Sequence, residues 1–272
     1  MRVWVLGSGS RGNAVVIEAD SCRLLVDAGF PARELAERLR LVGVAPESIE
    51  GVVITHEHGD HVRGAAAGAE RWGWALHATE GTLRGCPALA DADARSFVPG
   101  GTFAVGGFDV HAPAVSHDAE EPVAIVATVR SSGSRVGVAY DLGYPSRRVA
   151  GALADLDVLV LEANHDEGML WNGPYPPSVC QRIASRTGHL SNKAAGALAA
   201  ACAHRGLRHV VLAHLSDCCN DAVTARRTVA GALERTTFRG RVDVARQDAA
   251  VGPFVPTPGR RAGRVEQLAL GI

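Results

Sequence analysis

Residues 55–61 read Thr-His-Glu-His-Gly-Asp-His and follow directly on the apolar run Gly51-Val52-Val53-Ile54. Three histidines and an aspartate therefore stand within six consecutive positions at the end of what reads as a buried strand. Imidazole nitrogen and carboxylate oxygen suit zinc, manganese or iron. His56 and His58 share one face of an extended turn, whereas the adjacent Asp60 and His61 point in different directions. The cluster thus predicts two divalent metal ions rather than one. A chain built around it has to bring further ligands to the same place from elsewhere in the sequence.

The rest of the chain allows such a fold. At 272 residues it can bury a substantial core, and its composition, 47% hydrophobic and 21% charged, is that of a globular protein. No stretch offers the roughly 18 consecutive apolar residues needed to cross a bilayer, so no membrane role is expected. The start, Met1-Arg2-Val3-Trp4-Val5-Leu6-Gly7, reads as a first core strand rather than a signal peptide, which points to the cytoplasm. The six cysteines show no CxxC spacing and read mostly as buried thiols, with Cys218-Cys219 a minor metal candidate because they closely follow His214. The net charge of −1 offers no global field to nucleic acid. Lys193 is the only lysine. That arginine bias fits either a GC-rich genome or phosphate contacts.

Strand-like and helix-like runs alternate from end to end. Strands are predicted over 2–6, 14–19, 23–27, 51–54 and 75–78, then over 102–105, 108–115, 122–130 and 135–141, and finally over 158–163, 209–214 and 242–246. Helices are predicted over 32–42 (opened by Pro31), 62–72, 145–154, 176–187, 192–205 and 221–235. Runs such as Val158-Leu159-Val160-Leu161 and Val210-Val211-Leu212-Ala213 are apolar on both faces, as expected where helices cover a packed sheet. The prediction is a single α/β domain over 1–250, two sheets between helices. Residues 251–272, with Gly252-Pro253, Pro256, Pro258-Gly259 and Arg260-Arg261, read as an irregular, mildly basic, solvated tail.

Further ligand-type residues stand where apolar runs stop. His117 follows Pro113-Ala114-Val115-Ser116, Asp141 follows Val136-Gly137-Val138-Ala139-Tyr140, and His214 follows Val210-Val211-Leu212-Ala213. The series His56-x-His58-x-Asp60-His61, His117, Asp141, His214 resembles the ligand set of the metallo-β-lactamase-fold hydrolases, in the right order over nearly the whole chain. The resemblance implies a four-layer αββα sandwich with a di-metal site. His56, His58 and His117 would hold one ion, Asp60, His61 and His214 the other, and Asp141 would bridge them. Asp27, in Leu24-Leu25-Val26-Asp27-Ala28-Gly29, resembles the early aspartate that supports the metal loop. Such a centre is net positive and suits hydrolysis by a hydroxide held between the ions.

Glu162 in Leu161-Glu162-Ala163-Asn164-His165 and His189 in Gly188-His189-Leu190-Ser191-Asn192 resemble the paired motifs of the nuclease branch. By that resemblance His189 protonates the leaving oxygen, Glu162 orients it, and both count with Asp60 as catalytic residues. A helix-start cap beside Ser191 is the other reading of His189. Together with Gly7–Asn13, Val115–Ala119, Tyr140–Gly143 and Ala213–Ser216, these stretches look most like the bacterial YycJ/WalJ (VicX) group, over about residues 3–250. That group implies a DNA 5′-exonuclease with a role in DNA repair. Ser8, Ser10, Arg11, Asn13, Ser191 and Asn192 are candidate phosphate contacts, and His165 is a further candidate for the site. The chain has neither the insert of the β-CASP nucleases nor the arm of the tRNA-processing enzymes. The competing reading is a small-molecule hydrolase for a thioester, lactone or cyclic phosphate. An arginine-lined groove around the metals would favour nucleic acid, and a closed apolar pocket a small ester.

Overall fold

Strands that are apolar on both faces need cover on both sides, and the computed structural model, which describes residues 1–256, supplies it. The strands run in chain order as β1 (Arg2–Gly7), β2 (Ala14–Ala19), β3 (Cys22–Val26), β4 (Gly51–Val53), β5 (Ala75–Thr79), β6 (Arg95–Phe97) and β7 (Thr102–Val105). They continue as β8 (Phe108–His111), β9 (Ile125–Val129), β10 (Arg135–Ala139), β11 (Val158–Glu162), β12 (His209–Ala213), β13 (Arg241–Val244) and β14 (Val251–Phe254). Two seven-stranded sheets result, ordered β14-β1-β2-β3-β4-β5-β6 and β13-β12-β11-β10-β9-β8-β7.

Alternation along the strands sorts the core into layers. Val3, Val5, Val15, Ile17 and Leu24 of the first sheet meet Val110, Ile125, Val138, Val160 and Val211 of the second. The intervening residues Trp4, Leu6, Val16 and Leu25 face outward onto Leu35 and Leu39 of the helix Ala32–Leu41. On the far side Leu159, Leu161, Val210 and Leu212 pack on Leu198, Val229 and Leu233 of the helices Asn192–Ala201 and Ala222–Leu233. Each such leucine contributes about 1.5–3 kcal/mol by burial. The layers are helix, sheet, sheet and helix, as predicted.

Each sheet changes from antiparallel to parallel pairing partway across. The change falls at β3 in the first sheet, which pairs antiparallel with β2 and parallel with β4. In the second it falls at β10, antiparallel to β9 and parallel to β11. The carboxyl ends of parallel strands share one edge, and loops leaving that edge are where such sheets bind ligands. Asp27, His56, Asp141, Glu162 and His214 all sit at these ends.

Three expectations change. Val251–Phe254, read as irregular tail, forms β14 and pairs antiparallel with β1, so the sheet extends beyond residue 250. Pro253 lacks an N–H to donate and is tolerated because β14 is an edge strand. The helix predicted over 62–72 is two pieces, Gly59–Val62 and Ala65–Trp72. At the break, a Cβ on Gly64 would lie 2.3 Å from the Phe30 carbonyl oxygen. The long strands predicted over 108–115 and 122–130 are shorter, joined past their ends by a single bridge between Ala114 and Val123. Residues 257–272, the rest of the expected tail, lie outside the described residues.

Candidate active site

Three of the strand ends turn through a left-handed residue. Asp27, Asp141 and His214 have φ of 60°, 50° and 54°, a conformation few non-glycine residues adopt. Such local strain is held in place by the surrounding structure and is typical of functional positions. Here it swings each side chain off its strand into one shared cluster.

The first loop is held from beneath by Asp27, which is fully buried. Its Oδ1 accepts the Thr55 N–H at 2.8 Å, and its Oδ2 accepts the Thr55 hydroxyl at 2.8 Å. Oδ2 also lies 2.7 Å from His61 Nδ1. A proton held on Nδ1 leaves His61 Nε2 with a lone pair. That nitrogen lies 3.0 Å from Asp141 Oδ2 and 3.3 Å from Asp60 Oδ2. Asp27→Ala is expected to lower metal affinity about 10–100-fold, measured by titration against a competing chelator.

Gly29 lets two loops touch. A Cβ there would lie 1.7 Å from the Asp60 carbonyl oxygen and 2.7 Å from the Asn13 nitrogen. The Asn13 N–H donates to that same Asp60 oxygen at 2.8 Å. Gly29→Ala therefore cannot be absorbed without moving the Asp60 loop. A stability loss of about 1–3 kcal/mol or more is expected, together with loss of bound metal, read by denaturant unfolding and elemental analysis.

The ligand-type atoms of the series lie close together. His56, His58 and His117 bring nitrogens within 4.8 Å of one another, and so do the ligand atoms of Asp60, His61 and His214. Asp141 lies between them, grouped with His56 and His61 on one side and with Glu162, His189 and His214 on the other. His117 Nδ1 donates to the Gly188 carbonyl at 3.1 Å, which turns its Nε2 inward, 3.3 Å from His58 Nδ1. His56 Nε2 and Asp141 Oδ2 are buried and have no hydrogen-bond partner. Buried lone pairs without donors are costly, and a divalent cation is the group that satisfies several at once. The residues present therefore fit such ions.

The electrostatics divide the histidines of the cluster into two groups. Burial, reinforced by His61, holds His56 well below the ordinary histidine value, and burial also lowers His117. Burial would raise Asp141, but His214 and His61 hold it well below the carboxylate range. Asp60 is likewise held low by His214 and His61 against its burial. Burial opposes the charge on His61 and His214, but Asp27 and Asp141 raise His61 well above the ordinary histidine value and Asp141 pushes His214 up to about 9, so a metal ion would have to displace a proton from each of these two rings.

His189 and Glu162, grouped with Asp141 and His214, form a hydrogen-bonded pair of their own. Glu162, the last residue of β11, is fully buried. Its Oε2 accepts the N–H groups of Leu142 at 2.7 Å and Leu190 at 3.1 Å, and its Oε1 meets His189 Nδ1 at 2.7 Å. His189 Nδ1 is also 3.1 Å from Asp141 Oδ1. Burial would lower His189, but the Glu162 charge prevails and pushes it up to about 11. The cap of the following helix is Ser191, whose hydroxyl accepts the Ala194 N–H, so His189 does not serve as that cap.

The expected phosphate contacts fare differently. Asn13 is fully buried, with Nδ2 3.2 Å from Asp60 Oδ2 and Oδ1 accepting the Ser8 hydroxyl at 2.8 Å. Ser8 in turn accepts the His214 N–H at 2.8 Å. Asn192 is buried and exchanges amide hydrogen bonds with Asn220, and Ser191 is occupied as a cap. Ser8, Asn13, Ser191 and Asn192 thus brace the site from behind rather than face a ligand. Ser10 and Arg11 are exposed, and Arg11 pairs with Asp217 at 3.8 Å. His165 is buried with Nδ1 unpartnered, but it belongs to none of the converging groups and stands beside the ligand set. Cys218 and Cys219 likewise join none of those groups. Sequence reasoning missed Asn164, whose Nδ2 donates to the His214 carbonyl at 3.0 Å, and Thr55. Thr55 directly precedes the histidine cluster, and Asn164 lies two positions after Glu162, which was the available signal.

Comparison with known proteins shows the family of the chain. The model of the Metallo-beta-lactamase superfamily matches residues 7–143. The chain is 32% identical over 238 residues to Exodeoxyribonuclease YycJ of Bacillus anthracis, covering 86% of this chain and 89% of that protein. It is 33% identical over 261 residues to Exodeoxyribonuclease WalJ of Streptococcus pneumoniae serotype 2, covering 93% and 95%. Among solved structures, the metallo-beta-lactamase fold protein YhfI from Bacillus subtilis superposes with a TM-score of 0.70 at 18% identity, over 92% of this chain and 98% of that one. Human tRNase Z, short form, does so with a TM-score of 0.64 at 16% identity, over 94% and 100%. At such identities the structural likeness concerns the fold alone.

Proposed function

The chain belongs to the metallo-β-lactamase superfamily and is a metal-dependent hydrolase, and from that premise we propose that it cleaves phosphodiester bonds at DNA ends as a 5′-exonuclease. The observation that carries this reading is the Glu162–His189 pair beside the ligand cluster. An ester whose leaving group is an alkoxide needs a proton donor at the scissile bond, and a histidine pinned by a buried carboxylate is suited to give one. The relatives' names add support, since both are exodeoxyribonucleases.

In this reading His56, His58 and His117 would hold one divalent ion and Asp60, His61 and His214 a second, with Asp141 placed between the two sets. Such ions, when bound, polarise a phosphoryl oxygen and lower the pKa of water at the site. The chain's own residues do the rest. Asp27, Thr55 and Asn13 fix the orientation of His61 and Asp60. Glu162 keeps a proton on His189 Nδ1, so that Nε2 is the nitrogen that gives its proton to the departing 3′ or 5′ oxygen as the P–O bond breaks. The neutral imidazole that remains is still hydrogen-bonded to Glu162 and can be reprotonated from solvent.

The surroundings favour a long polar substrate over a small ester. Arg147, Arg148, Arg182 and Arg186 are exposed on the segments that follow Asp141 and precede His189, and Tyr144 is 42% exposed among them. A comparative assay tests the choice. The metal-loaded chain, given linear DNA and a panel of thioesters, lactones and cyclic phosphates, is expected to release nucleotides and turn over the panel poorly. Rapid turnover of a panel member with no nucleotide release would replace this reading by the small-molecule one.

A further inference from the structure

The loop that carries Asp141 continues as Leu142-Gly143-Tyr144, and the loop that leads to His189 passes through Arg186. The two are locked together through the loop that carries His117. The Gly143 N–H donates to the Ser116 carbonyl at 2.7 Å, and the Ser116 hydroxyl donates to the Arg186 carbonyl at 2.7 Å. His117 completes the link by donating to the Gly188 carbonyl. The approach at Gly143 is so close that a Cβ there would lie 2.3 Å from the Arg186 carbonyl oxygen.

Above this lock the Arg186 guanidinium lies 3.9 Å from the centroid of the Tyr144 ring. Both side chains are exposed, although an aromatic ring of this size gains by burial. Among the described residues no carboxylate pairs with Arg186, whereas its neighbour Arg182 is paired with Asp118 at 3.3 Å. The pair therefore combines a flat π-surface with a cation that no side chain neutralises. Chain reach keeps it local: Tyr144 is three residues from Asp141, so their Cα atoms are at most about 11 Å apart.

We propose that Tyr144 and Arg186 form a stacking platform for a nucleobase of a single-stranded DNA end, next to the phosphodiester being cut. The inference rests on the DNA reading above and adds to it a determinant of binding. Base stacking on aromatic side chains tolerates any sequence, because every base has a π-face, and an arginine adds attraction for the neighbouring phosphate. The rigid ties to His117, Asp141 and His189 mean that a base seated on Tyr144 fixes where its phosphate falls relative to the ligand cluster.

The test compares two single-stranded oligonucleotides cut by the metal-loaded chain, one with ordinary terminal nucleotides and one whose terminal nucleotides are abasic. The readout is the ratio of kcat/KM for the base-bearing end over the abasic end. Tyr144→Ala is expected to reduce that ratio about 5- to 150-fold, the worth of one stacked base, while Tyr144→Phe keeps it near the wild-type value. Arg186→Ala is expected to reduce it less. An unchanged ratio in Tyr144→Ala overturns the platform, including the case in which both substrates slow equally because the loop is damaged. A wild-type ratio near one overturns it too. Failure of the wild-type chain to cut either oligonucleotide would instead remove the DNA reading itself.

Discussion

His189→Ala is expected to lower kcat for DNA cleavage by about 10²–10⁴-fold, the usual contribution of a positioned general acid, while bound metal stays at the wild-type level. The separation follows from geometry. His189 shares Asp141 with the ligand cluster, but its strongest contact is to Glu162, which binds the backbone of Leu142 and Leu190 and so holds its place without His189. Elemental analysis and steady-state kinetics on the same preparation check the claim, and equal losses of metal and activity would contradict it.

The pH profile carries the sign. In the proposed role the active form of His189 is the imidazolium, so kcat is expected to fall as pH rises through its pKa. Burial opposes that charge but Glu162 and Asp141 outweigh it, raising the value from 6.5 to about 11. Cations held at Asp141 would withdraw part of that support and leave Glu162 as the main partner. The alkaline limb is therefore expected between these two values, and Glu162→Gln should bring it down toward 6.5. The same raised pKa makes the ion pair stabilising below the unfolded value, with that stabilisation lost as pH climbs through the folded one.

The second large effect concerns stability. A ligand that binds only the folded chain stabilises it, by about 2.7 kcal/mol at one hundred times its Kd. For a protein of this size that corresponds to a rise in Tm of roughly 5–10 °C. Zinc, manganese or iron(II) added to the chelator-treated chain is expected to produce such a rise, because the ions satisfy the unpartnered His56 Nε2 and Asp141 Oδ2. Asp141→Ala should abolish the ion-dependent part of the shift, since that carboxylate lies between both groups of ligands. Calcium, which prefers many oxygen ligands, should give little. A full shift in Asp141→Ala, or none in the wild-type chain, would contradict the assignment.

Asp141 and His214 were legible because they stand where apolar runs stop, and β-strands that end at one edge deliver their terminal residues to one place. Asp27 and His214 follow such runs directly, and Asp141 follows Tyr140 at the end of one. What supports the site was less legible. Asn13 looked like a loop residue open to phosphate, but its partners Asp60 and His214 lie far along the chain, the latter reached through Ser8. Gln247 is another case, accepting the Arg11 N–H and donating to the Gly12 carbonyl across more than two hundred residues. Long-range contacts of this kind leave no local pattern. The edge strands β6 and β14 were missed for a different reason: Arg95-Ser96-Phe97 is too short to show alternation, and Pro253 argues against a strand until an edge position is known.

This centre is proposed to cut DNA from an end with bound divalent ions. The most direct measurement is digestion of linear DNA blocked at either the 5′ or the 3′ terminus by the purified chain, with zinc, manganese or iron(II) supplied after chelation. Nucleotides released from the 3′-blocked substrate, little release from the 5′-blocked one and none without metal is the predicted result. No hydrolysis of either substrate with any of the three metals would contradict it.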